Sequence, residues 1–502
     1  MTAKAITLLL ACALTTPALA QTDHTPLFGK HKAKAVAQPV APVAAAPVAA
    51  PVVAAPAPVA AEIPATPPAE AAALPAGPIG IEQLRAAYAF ALPVYEMMRT
   101  RYLQVSKAES AGGPGVNHLY ARTVLADAKT RDVTTPNNDT LYSSAWLDLA
   151  GGPVILDMPA LPKRYHSAAL MSLFTDNVAI VGTRTGGKGG RYLITGPGWN
   201  GTAPANTTVL RSPTNDAWLL VRVLVDGPTD LAAATGLIRG FTLEVPADNV
   251  APVATKAVPV AVPDAATLIA VVDEALARSP LAHTVRTRPE LVALGINPDA
   301  IDPAAVRPAT MALWTKSLPA LRAEIKGGLG KAGTEVDGWS YPGAGIGHYG
   351  EGNDADRARV AFGGLGALPQ TEAIYLTATK DKAGAPLSGT KAYTVHLPGQ
   401  LPVGAFWSLT MYQADAAGRL FFVDTPSKRF AVGDRTPELR AERDGGYDIF
   451  VQPAAPSGER VVNWLPSPKG PFRLIFRAYL PKAGLLDGSF KLPPVEATEV
   501  IP

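Results

Sequence analysis

Two amides, a carboxylate and a phenol stand close together at residues 137–142 of a chain otherwise rich in Ala, Val and Pro. Asn137, Asn138 and Asp139 precede a half-apolar run that contains Tyr142. A carboxylate near a phenol suits acid–base chemistry, but Asn and Asp also favour turns because they bond to nearby backbone. We therefore predict either a plain turn or one wall of a site, with Asp139 as acid or base and Tyr142 as a hydrogen-bond donor.

The run that follows this segment predicts a strand with two different faces. Successive side chains of a strand point to opposite faces of the sheet. Leu141, Ser143, Ala145 and Leu147 should share one face, and the other should carry Tyr142, Ser144, Trp146 and Asp148. The second face places Tyr142 where it could share a surface with a loop carboxylate such as Asp139.

A second group of polar residues lies in the segment "RYHSAALMSLFTDNVAIVGTR". Arg184 is predicted to bind an anionic group of a ligand, or else to form a structural ion pair with a carboxylate. Tyr165 opens a strand, whereas Asp176 and Asn177 favour a hairpin or tight loop. We expect these last three residues to contact a ligand.

Further candidates lie in the C-terminal half of the chain. The Gly-rich loop "HYGEGNDADRARVAFGG" carries Tyr349, a predicted ligand contact, and Asp354 or Asp356 should cap the helix that follows. The loop could also act as a lid, since loops on a β scaffold commonly carry function. Trp464 is predicted either to pack or to offer a platform to an apolar or sugar-like ligand, and Trp407 is a further predicted ligand contact.

The motifs of several common enzyme classes are missing from the sequence. It contains no Gly-x-Ser-x-Gly elbow, no phosphate-binding loop and no His-Glu-x-x-His pair. The seven histidines are too scattered to predict a metal site. The residues name no cofactor, and the cofactor is therefore left unknown.

Composition limits the classes of partner. The chain has 502 residues, 48% of them hydrophobic, and a formal net charge of only +3. Nucleic-acid binding would require clustered Lys and Arg, which the sequence lacks. We expect a small-molecule ligand rather than nucleic acid, and self-association remains compatible with the composition.

The N-terminus is typical of an exported protein. Lys4, a short apolar run and the small residues before Gln21 predict a signal peptide at residues 1–20, cleaved after Ala20. The single cysteine, Cys12, lies inside it and is either removed with it or lipid-modified. Residues 21–77 are dominated by Ala and Pro, which predicts a disordered tether, and no apolar run is long enough for a transmembrane helix. We expect a periplasmic or secreted protein, with tethering to the envelope left open.

Hydrophobic periodicity divides the remainder into three parts. A helix followed by short β-branched and aromatic runs predicts an N-terminal β-domain at residues 78–255. Amphipathic patterns predict a helical connector at 256–360, and β texture returns at 361–502. The predicted fold class is mainly β with helical segments, that is, α+β.

Several motifs resemble known families. "TPNNDTLYSSAWLDL", "RYHSAALMSLFTDN" and "SPTNDAWLLVRVLVDG" resemble domain of unknown function 1254, and "GLGALPQTEAIYL", "FWSLTMYQ" and "NWLPSPKGPFRLIFRAYLP" resemble domain of unknown function 1214. The resemblance implies two antiparallel β-sandwich or jelly-roll-like domains joined by helices. It implies no activity, because neither family has an assigned one.

Three functions remain open from the sequence. The first is an enzyme, for example of hydrolase type, whose cleft between the β-domains holds Asp139, Tyr142 and Arg184. The second is a non-catalytic, envelope-associated protein that binds a small molecule, and the third is a structural module that assembles with copies of itself. Convergence of those three residues on one pocket would favour chemistry.

Overall fold

The first nine strands form two sheets that share one apolar core. The computed structural model describes residues 79–106, 115–279, 288–329 and 333–501, so the expected signal peptide, Cys12 and the tether lie outside the described residues. The strands are β1 (Tyr120–Ala121), β2 (Thr140–Asp148), β3 (Val154–Met158), β4 (His166–Ser172), β5 (Asn177–Gly182), β6 (Gly190–Thr195), β7 (Thr207–Arg211), β8 (Asp216–Leu224) and β9 (Thr242–Glu244).

Apolar side chains from both of these sheets meet in the core between them. Sheet I is antiparallel, in the order β1-β2-β8-β4-β5, and sheet II has the order β7-β6-β3-β9 with β6 and β7 parallel. Leu141 and Leu147 of β2 pack in the same core as Leu156 of β3 and Ile194 of β6. The predicted alternation of β2 is confirmed, because Tyr142 and Trp146 pack on the opposite side of sheet I.

The C-terminal strands repeat this two-sheet arrangement. They are β10 (Gly333–Val336), β11 (Trp339–Pro342), β12 (Ala373–Ala378), β13 (Ala392–Leu397), β14 (Val403–Ala414), β15 (Leu420–Phe421), β16 (Ala431–Gly433), β17 (Tyr447–Gln452), β18 (Trp464–Pro466), β19 (Arg473–Pro481) and β20 (Val495–Thr498). Sheet III has the order β10-β11-β12-β19-β14-β15, with β16 also paired to β14, and sheet IV has the order β18-β17-β13-β20. Leu376, Leu409 and Phe476 of sheet III share a core with Val395 and Val451 of sheet IV.

Helices cover the outer face of sheet I. The α-helices of the described residues are α1 (Ile81–Arg101), α2 (Leu231–Ile238), α3 (Ala265–Arg278), α4 (Pro289–Ala293), α5 (Pro308–Gly327), α6 (Asp354–Gly364) and α7 (Ala483–Leu486), and a π-helical turn follows α1 at Tyr102–Ser106. Of these, α2 packs in the core shared by sheets I and II, and α7 in the core shared by sheets III and IV. Short 3₁₀ helices lie at Thr183–Thr185, Pro228–Asp230, Pro303–Ala305 and Gly458–Asn463. The apolar sides of α1, α3, α5 and α6 share a core with Trp146 and Trp218 of sheet I.

The cap residues and the proline of the helices can be compared with what the sequence favours. Asp264 caps α3, because its side chain accepts a hydrogen bond from the Thr267 amide, a role that Asp commonly has before the first turn of a helix. Helix α1 continues through Pro93 without a break. The predicted cap of α6 is wrong: Asn353 holds the cap position, while Asp354 pairs with Arg288 and Asp356 with Arg359.

The observed fold is α+β, as predicted from the sequence. All of the described residues belong to one compact unit. Tyr165 and Ala169 of the first β region pack with Phe406 and Tyr479 of the second. The outer faces of sheets I and III therefore approach one another, and the predicted domain boundaries stay a prediction.

Candidate functional site

A cavity of about 490 Å³ lies between the outer faces of sheets I and III. Four strands contribute side chains to its wall from the facing sheets: β2 and β8 of sheet I, and β12 and β19 of sheet III. The segment 122–137 and the residues that follow α6 close its sides. The lining residues on these four strands are Tyr142, Ser144, Trp218, Leu220, Arg222, Tyr375, Thr377, Arg473, Ile475, Arg477 and Tyr479.

Strand register places these side chains opposite one another. In sheet I, Tyr142 pairs with Arg222, and Ser144 pairs with Leu220. In sheet III, Tyr375 pairs with Arg477, and Thr377 with Ile475. Because cross-strand partners on one face are neighbours, each sheet presents a Tyr–Arg pair beside an apolar residue.

Arg222 is buried in the wall with few partners. Its Nη2 donates to the Gly366 carbonyl at 2.9 Å, whereas the shielded Nη1 has no hydrogen-bond partner among the described residues. Its guanidinium carbon lies 5.4 Å from the centroid of the Tyr142 ring. Its side chain therefore has more donors than the surrounding protein uses.

Arg477 is buried as deeply but is better held. Its Nη1 donates to Thr410 Oγ1 at 2.9 Å, and its Nη2 donates to the Tyr412 hydroxyl at 2.6 Å and to the Thr135 carbonyl at 3.2 Å. Tyr412 in turn donates to the Pro136 carbonyl. These bonds fix the guanidinium and tie the segment before β2 to sheet III.

The cavity wall carries an excess of positive charge. Its carboxylates, Asp132 and Glu335, are paired with Arg122 and Lys380. The cationic residues of the wall are Arg122, Arg222, Arg359, Lys380, Arg473 and Arg477. Among the residues that the structure describes, Arg222, Arg473 and Arg477 form no ion pair, so the interior of the cavity should attract an anion.

Two tyrosines between the arginines remain protonated. Burial raises the pKa of Tyr375, against the opposing effects of Arg222 and Arg477. Burial also holds the pKa of Tyr479 well above its usual value, and Tyr375 raises it further. Both hydroxyls are consequently neutral near pH 7 and can donate hydrogen bonds.

A polar chain lies at the tryptophan end of the cavity. Trp218 Nε1 donates to Ser144 Oγ at 2.8 Å, and Ser144 Oγ donates to Gln104 Oε1 at 3.0 Å. Trp146 Nε1 donates to the same oxygen at 3.0 Å. The two indole rings stack with centroids 4.8 Å apart, which fixes an apolar surface beside this chain.

Two of the sequence-predicted residues, Asn137 and Tyr142, line the cavity. Asn137 accepts a hydrogen bond from the Asp139 amide at 2.9 Å, as a turn requires, and donates through Nδ2 to the Tyr479 hydroxyl at 2.8 Å. The segment is therefore both a turn and part of the wall. The described lining does not include Asn138, whose Oδ1 is buried without a hydrogen-bond partner.

Asp139 and Arg184 lie apart from Tyr142. Asp139 Oδ2 accepts a hydrogen bond from Ser408 Oγ at 2.6 Å, and Arg184 Nη1 lies 3.5 Å from Glu372 Oε2. Neither belongs to the described cavity lining. The structure thus does not bring these three predicted residues together in the cavity.

Arg184 instead belongs to a group around a buried carboxyl. Glu372 Oε1 accepts a hydrogen bond from the Tyr165 hydroxyl at 2.7 Å. Burial raises the pKa of Glu372, while Tyr165, Arg184 and Arg222 act in the opposite direction. Tyr165 and Glu372 come from the two β regions, so this group joins them at a place outside the described lining.

Asp176, Asn177 and Tyr349 hold a loop in place. Asp176 accepts a hydrogen bond from the Tyr349 amide at 2.6 Å and pairs with Arg357 at 2.9 Å. Asn177 Nδ2 donates to the Ala367 carbonyl at 2.9 Å. These contacts fix the Gly-rich loop and the chain at the end of α6, where residues 363–367 line the cavity.

The two predicted tryptophans occupy other places. Trp407 is buried in the core shared by sheets III and IV. Trp464 Nε1 donates to the Gln452 carbonyl at 2.8 Å within sheet IV. Within the described chain neither lines the cavity, and their contacts are those of packing residues.

Sequence reasoning missed Arg222, Arg477, Tyr375 and Tyr479. The available signal for the arginines was a charged residue inside a strongly apolar strand, with one Arg in "DAWLLVRVLV" and two in "FRLIFRAYLP". Burying a charge is unfavourable unless something compensates it, so an Arg in a buried strand indicates a specific role.

Two negative findings concern the described residues only. In the part of the chain that the structure describes, no three His, Cys, Asp or Glu side chains are grouped so that they could hold a metal ion. Over the same residues, no helix is long and apolar enough to cross a bilayer.

Two family models match separate parts of this chain. Residues 116–245 match the family described as "Protein of unknown function (DUF1254)", and residues 372–483 match "Protein of unknown function (DUF1214)". The N-terminal and C-terminal order is the one that the sequence motifs predict, so this prediction is confirmed. No curated protein matches the chain.

Solved structures include a protein with the same fold. The VPA0106 protein from Vibrio parahaemolyticus is 23% identical, with a TM-score of 0.62, and the match covers 83% of this chain and 99% of that one. An uncharacterised protein from Burkholderia cenocepacia is 12% identical with a TM-score of 0.40, over 84% of this chain and 91% of that one. The first match supports the fold and carries no information about the reaction or ligand.

Proposed function

We propose that this chain, which carries a DUF1254 region followed by a DUF1214 region, binds a small organic molecule in the cavity between them. The observation that carries the proposal is the cavity itself, at about 490 Å³. Small-molecule sites typically enclose roughly 300–1,000 Å³ and combine apolar walls with a few polar groups.

The composition of the wall supports binding of a ligand with an apolar body. Trp218, Leu220 and Ile475 supply apolar surface, and the Tyr and Arg side chains supply a small number of donors. Burial of apolar ligand surface would provide most of the free energy of binding. The donors would orient the ligand.

Binding is better supported than catalysis. The cavity carboxylates, Asp132 and Glu335, are held in ion pairs, and Asp139 lies outside the described lining. A general acid or base must reach the proton that it transfers, at about 2.6–3.2 Å. The hydrolase-type role predicted for Asp139, Tyr142 and Arg184 therefore remains a separate hypothesis, as does self-assembly.

Filling the cavity tests the proposal. Thr377 faces the cavity from β12, so Thr377→Trp should occupy part of the volume. We expect the neutral fluorescent probe N-phenyl-1-naphthylamine to bind the wild type and to bind Thr377→Trp at least about tenfold more weakly, a loss of about 1.4 kcal/mol. Fluorescence titration measures both.

The matched control is Thr394→Trp. Thr394 lies half-buried on β13 in sheet IV and is not part of the described cavity wall, so this variant should bind like the wild type. Absence of probe binding to the folded wild type, or equal loss in both variants, would reject the cavity as the binding site.

Location outside the cytoplasm is also a proposal. It is supported by the sequence of residues 1–20 alone, which has the charged, apolar and small-residue parts of a signal peptide. Amino-terminal sequencing of the exported protein should begin at Gln21. A start at Met1 would contradict it, and a lipid-blocked terminus would indicate modification of Cys12.

A further inference from the structure

Two arginine side chains in the cavity wall are charged and buried, and among the described residues neither has a carboxylate within ion-pair distance. Glu372 and Asp139 interact with Arg222 and Arg477, respectively, only from farther away. Arg222 is 4% exposed and Arg477 is 3% exposed, and neither forms an ion pair with any described residue. An isolated buried charge is strongly unfavourable, so buried charges are normally paired. A guanidinium stays protonated in proteins, and it cannot avoid this cost by losing its proton.

Arg222 has the greater unused capacity. The Gly366 carbonyl accepts from Nη2, while the shielded Nη1 lacks an acceptor among the described residues. Arg477 already donates hydrogen bonds from its Nη atoms to Thr410, Tyr412 and Thr135. Arg222 is therefore the residue whose hydrogen bonding a ligand would complete, and Arg477 contributes mainly charge.

The surroundings of Arg222 favour a planar anion. A guanidinium presents parallel donors that match the two oxygens of a carboxylate. Tyr375 lies close enough to both Arg222 and Arg477 to be influenced by each, and its neutral hydroxyl adds a donor. Half-buried Arg473, also on the wall and also unpaired, raises the positive potential.

A small inorganic ion would not fill this cavity, because much of the remaining wall is apolar. Trp218, Leu220 and Ile475 line the same cavity, and the Trp146–Trp218 stack fixes its apolar end. A small hydrated anion would leave this surface in contact with water. An anion joined to an apolar chain would cover it.

We infer that the ligand is a carboxylic acid with an apolar body, whose carboxylate is held at Arg222 within the field of Arg477 and whose body lies against Trp218, Leu220 and Ile475. The inference rests on the proposed function, since it names the class of ligand for the same cavity. It assigns Arg222 the role of the anion-recognition residue.

The experiment compares decanoate with its neutral analogue decanamide. Each competes against N-phenyl-1-naphthylamine on the full chain, in the wild type, in Arg222→Met and in the control Arg211→Met. Arg211 lies exposed on β7, over Trp199, away from the described wall. Decyl phosphate serves as a third competitor, to separate a carboxylate site from a phosphate site.

We expect decanoate to bind the wild type at least about tenfold more tightly than decanamide, as one charge-assisted hydrogen-bonded pair provides. Arg222→Met should remove about tenfold of the decanoate affinity and reduce the affinity for decanamide by less, because the amide carries no charge. The preference for decanoate over decanamide should therefore be lost in this variant. Arg211→Met should change nothing.

Several outcomes overturn the inference and leave the proposed function standing. In the first, the wild type binds the probe but has equal affinity for decanoate and decanamide. In the second, the Arg222→Met variant binds decanoate as tightly as the wild type does. Tighter binding of decyl phosphate than of decanoate would overturn the carboxylate assignment. If Arg222→Met does not fold, the wild-type comparison of decanoate with decanamide decides the matter, whereas failure of the probe to bind the wild type rejects the proposed function itself.

Discussion

Neighbouring residues of one short segment have different tasks in this protein. Asn137 closes a turn with one end of its amide and reaches Tyr479 with the other. Asp139, two residues later, accepts a hydrogen bond from Ser408, a side chain only 1% exposed. Residue type therefore indicates where polar chemistry is concentrated, while the direction of each side chain decides what that chemistry does.

Asp139 gives a prediction at this scale. Asp139→Ala leaves the buried Ser408 hydroxyl without its acceptor, so we expect the free energy of unfolding to fall by about 1–3 kcal/mol. Asp139→Asn keeps an acceptor oxygen and should cost less. Affinity for the neutral probe should change by less than about twofold in both variants.

Urea unfolding and fluorescence titration measure these two quantities separately. The opposite result, unchanged stability with abolished binding or turnover in Asp139→Ala, would instead support the acid–base role that the sequence predicts for Asp139.

At the scale of elements, the helices that cover sheet I with their apolar sides also bury an acidic residue that forms no ion pair among the described residues. Asp273 of α3 is 1% exposed, and its Oδ1 accepts a hydrogen bond from the Asn297 amide at 2.8 Å. Its Oδ2 has no hydrogen-bond partner among the described residues. Burial raises the pKa of Asp273 to about 8, against the effect of the Asn297 bond.

This shift predicts how stability depends on pH. In the unfolded chain an Asp has a pKa of about 3.9. Between that value and about 8, the folded protein holds a proton that the unfolded chain releases, so the free energy of unfolding falls as pH rises through this window. Stability from the protonated form is fully present only below about pH 4.

Asp273→Asn should remove this dependence, because the amide keeps an acceptor for Asn297 and carries no charge. We expect the variant to be more stable than the wild type at pH 8, by roughly 1–3 kcal/mol, and similar to it at pH 4. Urea unfolding across this range measures the effect.

Asp337→Asn, at an exposed position, is the control and should keep the wild-type slope. Equal slopes in the wild type and Asp273→Asn would show that Asp273 is ionised in the fold.

At the scale of the whole molecule, aromatic contacts join the two β regions beside the cavity. Phe406 is fully buried and stacks on Tyr479, with ring centroids 4.1 Å apart. Tyr165 of the first region meets both rings edge-on, each at 5.2 Å. The two sheets that form the cavity are therefore held together by a packed core as well as by polar contacts.

Phe406→Ala should weaken this junction. Removing a buried Phe side chain costs about 3–5 kcal/mol, through lost transfer free energy and the space left behind. We expect a single unfolding transition in the wild type, a lower midpoint in the variant, and weaker probe binding, because the cavity needs both sheets in register.

Phe472→Ala is the matched comparison, since Phe472 lies in the core shared by sheets III and IV. It should lose stability while its folded form binds the probe normally. Two separate transitions in the wild type, with only one shifted by Phe406→Ala, would show that the regions unfold independently.

The sequence by itself determined the local structure and the order of the two family regions. Period-two alternation placed Tyr142 and Ser144 on one face of β2, and Asp264 marked the start of α3, because strand geometry and helix capping depend on nearby residues. The excess of amides and acids at 137–142 located one wall of the cavity through Asn137 and Tyr142.

The tertiary structure decided which side chains meet. Asn137 reaches Tyr479, 342 positions later, and the cavity brings Arg222 of β8 to Tyr375 of β12. No local pattern encodes such pairs, because they depend on the packing of one sheet against another. The same packing gives Asp139 and Arg184 other partners, Ser408 and Glu372. The direction of a side chain is set by the strand or loop that carries it, and the composition of the surrounding segment does not determine that direction.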